Sequence, residues 1–216
     1  MIVLGTLLGC SGYNGPDPRF LLDGGPIKQD TNVADLRRMY GDANVRDERI
    51  EIGEGETAPG TILFPDDSLR RLMIVWTDSA ARRKPSRIIL RGGLSRWSLG
   101  PGVRLGITLD QLEMLNGRPF TLAGFGWDYS GVVVDWRGGA LDKPLRNARV
   151  YLAPDVEKQS TREYSQVLGD KDYSSHLSAM LALNPTVYQI FYDFPATDKA
   201  SRKSTIALSV PTGKNG

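Results

Sequence analysis

Ser174, Ser175 and His176 are adjacent in the sequence, and a hydroxyl near an imidazole is the pair that nucleophilic catalysis requires. A catalytic triad is defined by geometry rather than adjacency, and the chain has no Gly-x-Ser-x-Gly turn. We therefore interpret these serines as helix-capping residues, with His176 on the first turn. The chain has one His and one Cys, so a Cys/His zinc site and an internal disulfide are both excluded. The sequence predicts no catalytic residue, no metal and no cofactor.

Two acids, Asp128 and Asp135, flank a predicted hairpin turn and could form the carboxylate pair of a glycoside hydrolase. Strand alternation places Asp128 on the face opposite Trp127, and acids on a hairpin are usually solvated or cap the turn. The neighbouring glycines have the spacing Gly-x-Gly-x-x-x-x-Gly and follow a helix. A dinucleotide cradle needs a strand before the glycines and a helix after them, so the pattern does not predict a nucleotide site.

Aromatic residues alternate with small or polar residues in the same segment, at Phe125, Trp127 and Tyr129. Alternation on a strand would place all three side chains on one face. That face is expected to be core. An exposed face would instead bind a partner or a sugar ring.

The span from residue 79 to 109 has no acidic residue and is rich in arginine. Its candidate contact residues are Arg87, Arg91 and Trp97, because a local positive field attracts an anionic partner. The alternative is a solvated hairpin whose arginines pair with the acids of residues 46–56. The formal net charge of the whole chain is only +2, which gives no case for nucleic-acid binding.

The first residues, MIVLGTLLGCSGYNG, are apolar up to Gly9 and then small or polar. The segment Leu7–Cys10 resembles a bacterial lipobox, in which the cysteine becomes the lipidated N-terminal residue. In such lipoproteins a residue other than Asp after the cysteine, here Ser11, implies sorting to the outer membrane. The alternative is a buried first strand with Cys10 in the core. No apolar run reaches the ~20 residues of a membrane-spanning helix.

Two short helices with matching signals are predicted in the middle of the chain. Asn32 and Thr108 are the expected N-caps, with Asp35 and Gln111 three residues later, as in a capping box. Gly41 and Gly117, 76 positions apart, should end the helices. The residues expected on the apolar faces are Val33, Leu36 and Met39 in the first helix and Leu109, Leu112 and Leu115 in the second. The shared pattern suggests an internal repeat.

Strands are predicted after each helix by apolar, β-branched runs. They cover residues 46–52, 60–65, 70–78 and 86–92, a hairpin over 120–136, and residues 147–154. Residues 54–60 are expected to be a polar connection. A short helix is predicted within residues 162–175, a helix up to Asn184, and strands over residues 186–194 and 204–211.

The predicted fold class is α+β, with tandem units that each hold a short helix and an antiparallel sheet. We expect a signal remnant and tether over residues 1–24, units over residues 25–98 and 99–154, and an extension over residues 155–216 that packs on the sheet.

The stretch GITLDQLEMLNGRPFTLAGFGWDYSG, residues 106–131, resembles a family of uncharacterised bacterial envelope proteins that are often lipoproteins. The resemblance extends over roughly residues 25–195 and implies no particular activity. The helix-plus-sheet unit is also similar to the β-lactamase-inhibitor protein and to the small lipoprotein of the barrel-assembly machinery. Both of those proteins act by binding other proteins. Their similarity to this chain is one of fold, so it suggests a function only by analogy.

These observations predict a non-catalytic lipoprotein of the bacterial cell envelope, facing the periplasm from the outer membrane. Its expected partner is an envelope protein or another anionic envelope component, and the anchor on Cys10 would hold it to the membrane. One alternative is an enzyme that acts on an envelope carbohydrate. Another is a purely structural module of the envelope.

Overall fold

The computed structural model of the chain describes residues 17–53 and 55–195. Its four α-helices are α1 (Val33–Tyr40), α2 (Leu109–Asn116), α3 (Arg162–Ser165) and α4 (Ser178–Leu183). Its nine strands are β1 (Val45–Gly53), β2 (Glu56–Leu63), β3 (Leu72–Asp78), β4 (Arg83–Arg91), β5 (Thr121–Ala123), β6 (Val133–Asp135), β7 (Ala148–Ala153), β8 (Asp172–Ser174) and β9 (Thr186–Asp193). Both sheets are antiparallel, which confirms the α+β class. Cys10, the first 16 residues of the predicted signal remnant and tether, and the predicted strand over 204–211 lie outside the described residues. In the rest of the predicted tether, Phe20 and Leu22 are buried in the core, so this part is packed.

The predicted capping boxes set the start of both long helices. The Asn32 side chain accepts hydrogen bonds from the N–H groups of α1, and the Asp35 carboxylate accepts one from the Asn32 N–H. Thr108 and Gln111 make the reciprocal pair at α2, and Gly117 ends that helix in the left-handed conformation. These bonds satisfy backbone donors that a helix start leaves free. The two helix predictions are therefore confirmed.

The main sheet has six strands in the order β1-β2-β3-β4-β9-β7. Strands β1 to β4 form a meander, and β9 enters from the C-terminal part of the chain to pair with both β4 and β7. The segments predicted as two units and an extension therefore share one sheet. Of the predicted extension, β9 is a strand of this sheet, while α4 packs in the core beneath it.

The large core lies on one face of the main sheet. Helices α1, α2 and α4 and the small sheet β6-β5-β8 contribute side chains to it, including Leu36, Leu112, Leu122 and Met180. The segment before α2 is bound to the start of β9, since the Val187 N–H donates to Ile107 O at 2.9 Å. One face of the sheet is thereby covered by helices and loops.

Two local predictions were wrong, one for residues 54–60 and one for Met39. The polar connection expected over residues 54–60 is mostly strand, because β2 begins at Glu56, close after Gly53 and Gly55, which both have positive φ. Met39, expected on the apolar face of α1, is 43% exposed because that face only partly meets the core.

Candidate functional site

The opposite face of the main sheet carries a second apolar cluster, which we call the outer sheet face. Its buried members are Ile50, Ile62, Ile89, Tyr151 and Phe191. Around them pack the partly buried Ile52, Met73, Val75, Val132 and Tyr188. Among the described residues, every member of this cluster except Val132 belongs to a main-sheet strand and none to a helix. Within the described part of the chain, strand side chains and Val132 are what shelter this cluster.

Two arginines lie against the aromatic centre of the outer sheet face. The guanidinium of Arg149 is 4.9 Å from the centre of the Phe191 ring, and that of Arg87 is 5.3 Å from it. Both reach the Asp193 carboxylate, Arg87 Nε at 2.5 Å and Arg149 Nη2 at 3.6 Å. Two cations therefore share one anion, which leaves this cluster with a formal positive charge beside an aromatic ring.

Arg91 extends the same face toward β1. Its Nε donates to the Gln189 side chain at 2.8 Å, and its Nη1 is 2.9 Å from the Glu51 carboxylate. Burial raises the pKa of the nearby Tyr188 hydroxyl, which therefore stays neutral. The sequence alternative in which basic-span arginines pair with the acids of residues 46–56 thus holds for Arg91, and also for Arg82, whose Nε is 3.0 Å from the Asp47 carboxylate. For Arg87 the acid is instead Asp193.

Trp97, proposed from the sequence as a contact residue, is fully buried. Its indole N–H donates to Arg70 O at 2.6 Å, and its ring packs edge-on against Phe20. The prediction of Trp97 as an accessible binding residue is therefore wrong. The arginine-rich sequence around Trp97 gave no sign that the tryptophan side chain points into the core.

The aromatic residues of the hairpin do not share one face. Phe125 is buried and stacks on Tyr164 at 5.9 Å, whereas Tyr129 is 49% exposed. Strand β5 ends at Ala123, and Gly126 has a φ of +83°, so strand alternation no longer applies. Trp127 is half-buried and its indole N–H donates to Gly124 O at 3.0 Å.

This aromatic loop adjoins the outer sheet face through Val132. The Val132 N–H donates to Tyr129 O, and the Val132 side chain packs on the outer apolar cluster. The Leu152 N–H of β7 donates to Gly131 O at 2.9 Å, which binds the loop to the sheet edge. Tyr129 is therefore joined through Val132 to the edge of the outer sheet face at β7, whereas Phe125 belongs to the large core.

A separate groove of about 480 Å³ lies at the end of α2. Glu113 lies there, accepting a 2.5 Å hydrogen bond from the buried Ser175 hydroxyl and facing His176 Nδ1 at 3.4 Å. In a catalytic triad the imidazole lies between nucleophile and acid. Here the carboxylate lies between hydroxyl and imidazole, and the Ser175 oxygen also accepts from the Phe120 N–H. This arrangement fixes the loop before α4 and does not activate Ser175.

The suspected carboxylate pair does not form a catalytic cleft. Asp128 and Asp135 are both exposed, and Asp135 accepts a hydrogen bond from the Arg137 N–H at 2.7 Å. Both acids are thus solvated, and Asp135 also bonds to a turn, in agreement with the expectation for acids on a hairpin. Within residues 17–53 and 55–195, no group of three or more His, Cys, Asp and Glu side chains could hold a metal. No helix in the same part of the chain has the length and apolar character needed to cross a bilayer.

Sequence reasoning missed most of the outer sheet face, in particular Arg149, Tyr151 and Phe191. These residues lie far from the arginine-rich span, and only the pairing of β9 with β4 and β7 brings them beside Arg87. The alternating pattern of β7 and β9 was the available signal, but it does not specify neighbouring strands. Glu113 was missed because it looked like an ordinary exposed helix residue.

Comparison of the chain with known protein families, with curated proteins and with solved structures found no significant match.

Proposed function

We propose that this protein is a non-catalytic binding protein of the bacterial cell envelope, and that it binds an acidic protein partner through the outer sheet face. The single observation that supports this most directly is the position of Arg87 and Arg149 over Phe191, on a sheet face to which no helix of the described residues contributes. Arginine and aromatic residues are enriched at protein interfaces, where aromatic anchors and desolvated charges contribute most of the binding energy. An acidic partner is favoured by the positive charge that Asp193 leaves uncompensated.

The membrane anchor is part of the same proposal. Its basis is the lipobox-like segment Leu7–Cys10, with an outer-membrane position facing the periplasm. An anchor would keep the protein near envelope partners and raise their effective concentration. The anchor and the outer sheet face are therefore both explained by a protein partner in the envelope.

Co-purification from membranes at graded salt tests this proposal. The wild-type protein should retain an acidic partner at low salt and lose it progressively as salt rises, because exposed charges are screened over ~8–10 Å at physiological ionic strength. The double variant R87E/R149E should lose the partner at low salt. Equal retention by this variant, at any salt concentration, would remove the outer sheet face from the function.

Charge reversal must be controlled for the ion pairs that it breaks. Arg83 lies at the other end of β4, is exposed and pairs with Asp78 at 2.8 Å. The variant R83E therefore removes an arginine and an ion pair from the same strand, away from Phe191. It should retain the partner. Each reversal places a like charge opposite Asp193 or Asp78 and lowers stability, so circular dichroism must show that every variant is folded before partner retention is compared.

The α2 groove is the observation that favours the alternative of an envelope carbohydrate enzyme. Asp110 and Glu113 both line it, three residues apart on one helix. They form one wall, whereas glycoside hydrolysis places its two carboxyls on either side of the scissile bond. Turnover of an envelope glycan that is lost in E113Q and retained in D128N would favour the enzyme over the binding protein.

The tandem-unit, β-lactamase-inhibitor-like architecture is a further part of the proposal. It is supported by the two capping boxes and by the burial of Leu36 and Leu112 at equivalent positions. The sheets that follow differ, since β1 and β2 are long and β5 and β6 have three residues each. A common origin requires that α1 with β1 and β2 superpose on α2 with β5 and β6. Unrelated helix orientations would contradict it.

A further inference from the structure

A second cavity, of about 400 Å³, lies beside α1 on the side of the large core. We call it the arginine–aromatic cavity. Its lining includes Phe20, Met39, Tyr40, Asn44, Phe64 and Arg70. The volume is within the range of small-molecule sites in proteins, which are mostly apolar with a few placed polar groups.

The Tyr40 hydroxyl has no hydrogen-bond partner among the described residues, although the oxygen is buried. An unpaired buried hydroxyl is costly, and native structures rarely retain one without a reason. The Tyr40 ring is fixed by edge contacts with Phe64 at 5.4 Å and Trp97 at 6.2 Å. The cavity therefore includes a fixed side chain whose hydroxyl can donate to a bound acceptor.

Arg70 supplies a positive charge with unused donors. Its Nε is held by the Asp67 carboxylate at 2.6 Å, and its guanidinium lies 4.4 Å from the centre of the Phe64 ring. Within the described part of the chain, neither terminal nitrogen of Arg70 makes a hydrogen bond. A guanidinium fixed at one edge, with two free N–H groups at the other, matches a carboxylate, sulfonate or phosphate.

Phe64 holds an unusual backbone conformation at this cavity. Its φ is +50°, in the left-handed region that a bulky residue rarely adopts. The Phe64 N–H donates to Asn44 O at 2.8 Å, which stabilises this conformation. Strain of this kind concentrates at binding sites, where the surrounding structure fixes a side chain in a required position.

We propose that the arginine–aromatic cavity binds a small aromatic anion. The rings of Phe20, Tyr40 and Phe64 would contact the planar body of the ligand, and the free edge of Arg70 would bind its acidic group. The guanidinium of Arg96 lies 5.7 Å from the Phe20 ring and adds a positive charge there, whereas the charge of Arg19 is compensated by the Asp17 carboxylate at 2.7 Å. This inference is independent of the outer sheet face.

The protonation state of Tyr40 is consistent with a donor role. Burial raises its pKa to about 12, so the hydroxyl keeps its proton at neutral pH. An ionised phenol would repel an anion. The neutral phenol can instead donate a hydrogen bond to it.

The test is a fluorescence titration of the full chain with 1-anilinonaphthalene-8-sulfonate, an aromatic sulfonate, and with N-phenyl-1-naphthylamine, a neutral analogue. The sulfonate should bind saturably at one site per chain. R70Q should weaken sulfonate binding about tenfold, as expected for the loss of one charge-assisted hydrogen bond, and change binding of the neutral analogue little. The control is R71Q, since Arg71 donates to Pro65 O and does not line the cavity.

The variant Y40F separates a binding role from a structural one. Removal of an unpaired buried hydroxyl should leave the unfolding midpoint unchanged or raise it, because the unsatisfied group is lost. The same variant should bind the sulfonate several-fold more weakly. A merely structural tyrosine would not lose affinity while keeping or gaining stability. Near-UV circular dichroism should show fixed tertiary packing, since partly folded chains also bind this dye.

Three outcomes would overturn the proposal. One is sulfonate binding that R70Q and R71Q weaken equally. The second is the absence of saturable binding by a folded full chain. The third is binding that appears only after removal of residues 1–16, which would show that the chain itself fills the cavity next to Asp17.

Discussion

The guanidinium of Arg149 lies 4.9 Å from the centre of the Phe191 ring, across two neighbouring strands. Arg149 is on β7 and Phe191 on β9, and the two are direct partners in the antiparallel register. Such cross-strand pairs contribute to sheet stability by contact alone. This pair also presents a positive charge beside an aromatic ring, on the face that carries no helix within residues 17–53 and 55–195, which is why we propose that the partner binds there.

Substitution of Cys10 by alanine should release the protein from the membrane. In native cells C10A should appear in the soluble fraction, whereas the wild-type protein should remain with membranes until detergent is added. The reason is that lipid chains on Cys10 would supply the hydrophobic attachment. Mass spectrometry that shows an unmodified Cys10 in the membrane-derived protein would rule the anchor out.

Leu112 is fully buried on α2 and packs in the large core. We expect L112A to lower the free energy of unfolding by about 2–5 kcal/mol, because a buried leucine leaves a cavity when truncated. Urea unfolding measures the loss. The control is M114A on the same helix, since Met114 is 78% exposed and should cost under about 0.5 kcal/mol.

Gly131 and Gly138 have nearly the same positive φ, +69° and +66°, but different surroundings. A methyl group on Gly131 would lie 1.9 Å from Leu152 O, whereas at Gly138 the nearest atom is an arginine nitrogen at 4.0 Å. Both alanine variants incur the left-handed backbone cost of roughly 1 kcal/mol. G131A should lose at least about 2 kcal/mol more in thermal unfolding, because it also clashes with β7. Equal losses would contradict the close approach of the loop to the sheet.

Asp17 should remain ionised to unusually low pH. Its hydrogen bond to the Arg19 side chain is the main reason that its pKa is lowered from 3.8 to about 2. Because the folded-state pKa is the lower one, the stabilisation is present above pH 4 and is lost as the pH falls toward 2. A carboxyl titration by nuclear magnetic resonance should show this pKa, and R19Q should return it toward 3.8. An unchanged pKa in R19Q would contradict the pairing.

The helices could be predicted from the sequence because their determinants are local. Asn32, Thr108 and Gly117 each act within one turn of the chain. The position of β9 could not be predicted, since its pattern shows a strand without identifying β4 and β7 as its neighbours. The direction of the Trp97 side chain was missed for a related reason. Its partners Phe20 and Arg70 are distant in sequence.

The candidate contact residues were likewise predictable from the sequence only in part. Arg87 and Arg91 could be selected from the acid-free span, and both lie on or beside the outer sheet face. Their counter-charges, Asp193 and Glu51, come from other strands, so the remaining charge could not be derived from the sequence. Arg87 lies beside Phe191 because β4 pairs with β9, and the sequence does not show that pairing.

The most direct test of the account is site-specific photocrosslinking in native membranes, with the photoreactive amino acid p-benzoylphenylalanine. Placed at Tyr188, beside the outer sheet face, it should give one dominant crosslinked acidic protein, and R87E/R149E should abolish the product. Placed at Met114, on α2 near the groove, it should not give that product. The same crosslinked protein at Met114 but not at Tyr188 would contradict the assignment of the outer sheet face as the binding surface.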